Sequence, residues 1–182
     1  MSLLFCYFAK PVLRKSPTYQ DILQTIYNIG KEIERHPRTY AEKGEEDLRD
    51  DLPLGFKGEA LAEAINKKGK TDILIRSENE NVFIGECKCW HGKEDYFEAI
   101  KQLLGYLTWR DSQTALIVFV GNKNFSPVLR IIERETPNHP NYSGFVNKGN
   151  KSWFNYIFQM ERDPNLKIEL AVLLFHTPDS CK

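Results

Sequence analysis

The chain has 182 residues, 41% of them hydrophobic, and its 25 basic side chains are balanced by 25 acidic ones. That length and composition bury one sizeable core, which reads as a single modest globular domain. A net charge of zero excludes the bulk basicity of a protein that coats nucleic acid, although acidic residues gathered at one site would offset local lysines.

In chain order, the apolar start from Leu3 to Phe8 is too short for a membrane span and lacks a charged n-region or cleavage site, which predicts a cytoplasmic chain. Thr18 to Arg35 carries Ile22, Ile26, Ile29 and Ile33 at helical spacing, and His36-Pro37 stops it. Residues 1–40 read as an N-terminal helical extension to an α/β domain over 41–182. Ala41 to Leu52 predicts a second helix, with Glu45, Leu48 and Leu52 on one face. An acid on an apolar stripe is unusual; Glu46 turns away from it, and Glu59 is the fallback. Lys67, Lys68 and Lys70 form either a solvated turn or a phosphate contact.

Two strand-like runs follow, Thr71 to Ile75 and Val82 to Lys88, separated by the polar stretch Ser77 to Asn81. A hairpin turn centred on Asn79 puts Asp72 opposite Glu86, Leu74 opposite Ile84 and Lys70 opposite Lys88. Side chains alternate along a strand, so Asp72, Glu86 and Lys88 share a face while Ile73, Ile75, Phe83 and Cys87 take the other. Directly opposed like charges cost a sheet pair roughly 0.2–1 kcal/mol and call for a compensating cation. Mg²⁺ suits such a site, because it takes carboxylate oxygens and phosphate oxygens in one shell. Lys88 would then act on the attacking water or on charge developing at phosphate. Ordinary exposed charges on an amphipathic hairpin fit poorly, since both faces look buried farther along.

His91 reads as turn surface. Glu94 to Arg110 predicts a helix whose core side is Phe97, Ile100, Leu103, Leu104 and Leu107, with Gln102 and Tyr106 one turn apart on another side. At its end Trp109 either packs or stacks on a base, and Arg110 grips a phosphate. Ala115 to Val120 predicts a buried strand, Val128 to Glu135 a short helix and Ile168 to Phe175 a last buried strand. The four cysteines show no Cys-x-x-Cys spacing, so reduced thiols and no zinc site are expected. No glycine-rich phosphate loop or Ser/His/Asp order supports an NTPase or serine hydrolase.

Asp72, then Glu86-x-Lys88, then Gln102 and Tyr106 on a helix resembles the PD-(D/E)XK nuclease superfamily, with Thr71 where the family name has proline. The stretches GKTDILI, GECKCWHG and QLLGYLTWRD are similar to a bacterial subgroup of it. The resemblance implies a restriction-endonuclease-like α/β core of αβββαβ order, with a mixed sheet flanked by helices. It implies Mg²⁺ or Mn²⁺ held by Asp72, Glu86 and the Cys87 carbonyl, with Lys88 and Glu45 completing the catalytic set. Gln102, Tyr106, Arg110 and Lys70 would position substrate. The expected activity is phosphodiester hydrolysis, foremost in DNA, in prokaryotic restriction, defence or repair. A noncatalytic nucleic-acid-binding domain and an RNA-cleaving effector domain remain the alternatives; no membrane partner is expected and a homodimer stays open.

Overall fold

A computed structural model of the chain describes residues 17–52, 72–77, 80–111 and 113–181. Its helices are α1 (Tyr19–Arg35), α2 (Pro37–Tyr40), α3 (Glu45–Asp50), α4 (Lys93–Tyr106) and α5 (Phe125–Glu135). Its strands are β1 (Ile73–Ser77), β2 (Glu80–Cys89), β3 (Gln113–Val120), β4 (Tyr142–Asn150), β5 (Trp153–Gln159) and β6 (Lys167–His176). They form one mixed six-stranded sheet in the order β1-β2-β3-β6-β5-β4. The middle pairs, β2 with β3 and β3 with β6, are parallel, and the outer pairs are antiparallel.

Sequence dictates this layering. β3 and β6 are near-continuous apolar runs, as strands covered on both faces must be. On one face α4 and α5 bury Ile100, Leu103, Val128 and Ile132 against Leu74, Ile84, Leu116 and Val172. On the other, α1 and α3 bury Ile22, Ile26, Ile33 and Leu48 against Ile73, Phe83, Ile117 and Phe175. A capping box between Thr18 and Asp21 starts α1. The hairpin pairs as its turn predicts, Leu74 with Ile84, and a register shift after Ile75 absorbs the turn.

Several expectations change. Helix α3 covers only Glu45–Asp50 of the expected 41–52, because Pro37–Tyr40 forms its own short helix and the chain turns at Glu42. Helix α4 stops at Tyr106, four residues short of the expected Arg110. Asp111 takes hydrogen bonds from the Thr108 N–H and hydroxyl, both at 2.7 Å, and that turn breaks the helix. Two described strands, not three, precede α4; a third of the αβββαβ order would fall in 53–71, outside the described residues. The hairpin of β4 and β5 was not foreseen. Register shifts and exposed polar residues along β4 erase its alternation, although Phe154, Tyr156 and Phe158 on β5 alternate into the core. The four cysteines are not all thiols: Cys89 and Cys181, 92 residues apart, form a disulfide. Spacing along the chain could not reveal a contact made by the fold. Cys87 is free and buried, and Cys6 lies outside the described residues.

One position tests the packing of α1. A Cβ at Gly30 would lie 2.2 Å from the Phe175 ring, which is fully buried and flanked by Tyr27 and Phe119. Alanine gains about 1 kcal/mol of helix preference over glycine, whereas overpacking a core costs about 1–3 kcal/mol. Gly30→Ala should therefore lower stability in urea denaturation by about 1–2 kcal/mol at the upper end of that range; a stabilised variant would mean that Phe175 yields freely.

Candidate active site

The site forms where β2 outruns β1. Among the described residues the ladder of the two strands ends at the pair Ile73 and Gly85, and beyond it no described strand residue takes the β1-facing amides of β2. Carboxylates take them instead. The Cys87 N–H donates to Asp72 Oδ2 at 2.8 Å, and the Cys89 N–H donates to Glu45 Oε2 at 2.8 Å. Within a strand the N–H and C=O of one residue face the same neighbour, so the Cys87 carbonyl also projects to this open side. Glu86 and Lys88 occupy the sheet face shared with Leu74 and Ile84, while Cys87 packs in the opposite core.

Lys88 links two acids. Its Nζ stands 3.3 Å from Glu45 Oε1 and 3.6 Å from Glu86 Oε1. Glu86 is buried, 3% exposed, and among the described residues its Oε2 has no hydrogen-bond partner. A buried carboxylate oxygen left so is destabilising by about 1–3 kcal/mol or more. Burial, then repulsion from Asp72 and Glu45 against the attraction of Lys88, pushes the Glu86 carboxyl up to about 7. Burial disfavours the charge on Lys88, but Glu45 and Glu86 outweigh it and the net shift is upward. Lys88 is therefore a cation at neutral pH.

Arg49 is the residue that sequence reading missed. It lies one helical turn after Glu45 on α3, and its guanidinium donates to Asp72 Oδ1 at 3.3 Å. The i, i+4 spacing from Glu45 is the signal that would have found it, since both side chains then reach the same strand end. Asp72 and Glu86 are thus not simply opposed; Asp72 is neutralised by Arg49, and Glu86 carries the uncompensated oxygen.

The structure brings Asp72, Glu86, Lys88 and Glu45 together. Gln102 and Tyr106 form a separate pair on α4, joined by a hydrogen bond from Gln102 Nε2 to the Tyr106 hydroxyl. Among the described residues no hydrogen bond or ion pair joins that pair to the acids. Arg110 lies in the exposed turn beyond α4, its guanidinium 4.1 Å over the ring of Trp109, which is 66% exposed. Trp109 is therefore surface and not core. About 20 Å of helix separates this turn from the Lys88 end of α4. Lys70, Lys67, Lys68 and Glu59 lie outside the described residues.

Among the described residues no group of three or more His, Cys, Asp or Glu side chains is arranged to hold an ion. Mg²⁺ needs fewer protein ligands, since it binds through one or two carboxylates and keeps several waters. The orphaned Glu86 oxygen, the adjacent Asp72 and the open Cys87 carbonyl fit that chemistry, provided Arg49 yields Asp72 Oδ1. Comparison with known proteins adds no relative: no family model, curated protein or solved structure matches the chain.

A pH dependence follows. With its folded-state value above the usual 4.5, Glu86 makes the folded chain bind more protons than the unfolded one between pH 4.5 and about 7, so stability falls as pH rises through that window. A shift of that size corresponds to about 3 kcal/mol. In EDTA, Glu86→Gln should gain on the parent by up to about 3 kcal/mol between pH 5 and pH 8. Urea denaturation at the two pH values measures it, and a pH-independent difference would mean that Glu86 bears its charge without cost.

Proposed function

We propose that the chain is a Mg²⁺- or Mn²⁺-dependent nuclease with a restriction-endonuclease-like core, hydrolysing phosphodiester bonds, foremost in DNA. The single observation that carries this reading is Glu86: a buried acid with an unpartnered oxygen, two residues from a lysine and beside a second carboxylate. A purely structural cluster would have no use for that oxygen. The setting we infer is prokaryotic restriction, defence or repair in the cytoplasm.

Asp72 and Glu86 would hold the ion, with the Cys87 carbonyl as a third donor. When bound, it supplies a Lewis acid to a phosphate oxygen and lowers the pKa of a water. Lys88, held between Glu45 and Glu86, would hold its ammonium where it could orient a water and offset charge growing on a phosphate. Glu45, bonded to both Lys88 and the Cys89 amide, keeps the ammonium aimed at the strand end. Gln102 and Tyr106 would meet substrate toward the far end of α4, away from the acids, and Lys70 would add positive charge ahead of Asp72 in the chain. Trp109 and Arg110, a stacked plate about 20 Å along α4, would meet the nucleic acid several nucleotides from the scissile bond.

One observation favours a noncatalytic nucleic-acid-binding domain instead: Asp72 already spends both oxygens, on Arg49 and on the Cys87 amide. Lys88→Ala separates the two readings. Because lysine is not a ligand, the variant should bind Mn²⁺ with parental affinity in calorimetry, yet lose cleavage of plasmid or linear DNA by about a hundredfold or more. Turnover within a few fold of the parent would make Lys88 structural, and absence of cleavage by the parent on DNA and RNA alike would favour the binding domain.

A further inference from the structure

The disulfide lies at the end of the strand that carries Glu86 and Lys88. Cys89 is the next residue of β2 after Lys88, and its bond to Cys181 ties the C-terminal tail there. The tail in turn holds the approach to α3. The Cys181 N–H donates to the Lys43 carbonyl at 2.9 Å, and the Glu42 N–H donates to the Asp179 carbonyl at 2.9 Å. Two residues beyond Lys43, Glu45 reaches back to the Cys89 amide and to Lys88. The contacts close a ring: Cys89 sulfur, tail, Lys43, Glu45, Cys89 amide.

This ring is held in unfavourable backbone. Among the described residues the only non-glycine positions with positive φ are Glu42 (66°), Asp179 (67°) and Cys181 (59°), all within the clasp. Such conformations persist only where surrounding bonds enforce them. The tail also presses on the end of β3, where a Cβ at Gly121 would stand 2.2 Å from the Ser180 carbonyl oxygen. Cys181 lines an open cleft of about 450 Å³ with Trp90, His91 and Lys123, whereas Cys89 is buried. A reductant would therefore approach the disulfide from the Cys181 side.

We propose that the Cys89–Cys181 disulfide is a redox latch that regulates the candidate site by fixing Glu45 against Lys88, an inference that rests on reading that site as a nuclease centre. A small dithiol opens it. Its thiolate attacks Cys181 Sγ through the cleft, forming a mixed disulfide as the Cys181–Cys89 bond breaks and Cys89 leaves as thiolate. The second thiol of the reductant then displaces Cys181. The protein gains two electrons and two protons, and the reductant becomes a disulfide. With the tail freed, Glu42 and Cys181 can leave their strained conformations, and Glu45 loses its fixed approach to Lys88. Intracellular disulfides of this kind are mostly transient and redox-sensing.

The test compares the full chain oxidised, the same protein reduced with dithiothreitol, and Cys181→Ser. Amide exchange by NMR should quicken about tenfold or more on reduction at Glu42, Cys89 and Cys181, while Ile117 and Val118 in β3 stay within about twofold. Cys181→Ser should show the fast exchange without reductant and ignore dithiothreitol. Mn²⁺-dependent cleavage should drop about tenfold on reduction, and Glu45→Gln should show the same drop when oxidised with no further loss when reduced. Unchanged exchange at those three amides overturns the latch, as does cleavage that is indifferent to a redox state to which exchange responds. If neither redox form cuts any nucleic acid, the nuclease reading fails, and the latch is decided by the amide exchange alone.

Discussion

A carboxylate taken out of water must find a proton, a cation or a set of donors, and Glu86 has only part of such a set. Its position follows from the sheet. β2 lies between β1 and β3, and α4 packs on the face on which Glu86 sits, so its side chain is left only 3% exposed. Lys88 meets one oxygen at 3.6 Å and leaves the other without a partner. The remaining features of the site are responses to that charge or to the strand end that bears it. Glu45 anchors Lys88, Arg49 quiets Asp72, and the β1-facing amides of Cys87 and Cys89 draw both acids inward.

Two effects compete at this point of the fold. Coulomb attraction among Lys88, Arg49 and three acids holds the strand end together, but the Arg49–Asp72 and Lys88–Glu45 pairs are partly exposed and contribute about 0.2–1 kcal/mol each. Burial of Glu86 acts in the other direction and is the larger effect, as its carboxyl at about 7 records. A cluster evolved only for stability would carry an apolar residue there, since replacing buried ionic groups by well-packed apolar ones is often neutral or stabilising. An acid at that position is what the proposed ion site would account for. The disulfide belongs to the same logic, because it supplies from outside the sheet the constraint that the short helix α3 cannot supply alone.

Much of this was legible in sequence where local rules operate. Turn position fixed the pairing of Leu74 with Ile84, and alternation then put Glu86 and Lys88 on one face and Cys87 on the other. The isoleucine period and the His36-Pro37 stop of α1 marked its limits to within a residue. What stayed hidden depends on contacts between distant segments. Arg49 acquires meaning only when α3 meets β1, and Cys181 only when the tail returns to β2. β4 is an edge strand whose bulges break the period that would reveal it, and α4 ends at a turn set by Asp111 rather than by a helix-breaking residue. Glu45 was recognisable by its place on an apolar stripe, although its bond to the Cys89 amide was not.

The most direct measurement is a calorimetric titration of Mn²⁺ into the parent and into Glu86→Gln near pH 6, in buffers of different ionisation enthalpy. At that pH a carboxyl titrating at about 7 is mostly protonated, so binding to it must expel the proton. The account predicts that the parent binds Mn²⁺ with release of close to one proton and that the variant loses both the affinity and the proton release. Binding of equal strength to parent and variant, or binding by the parent with no proton released, would contradict it.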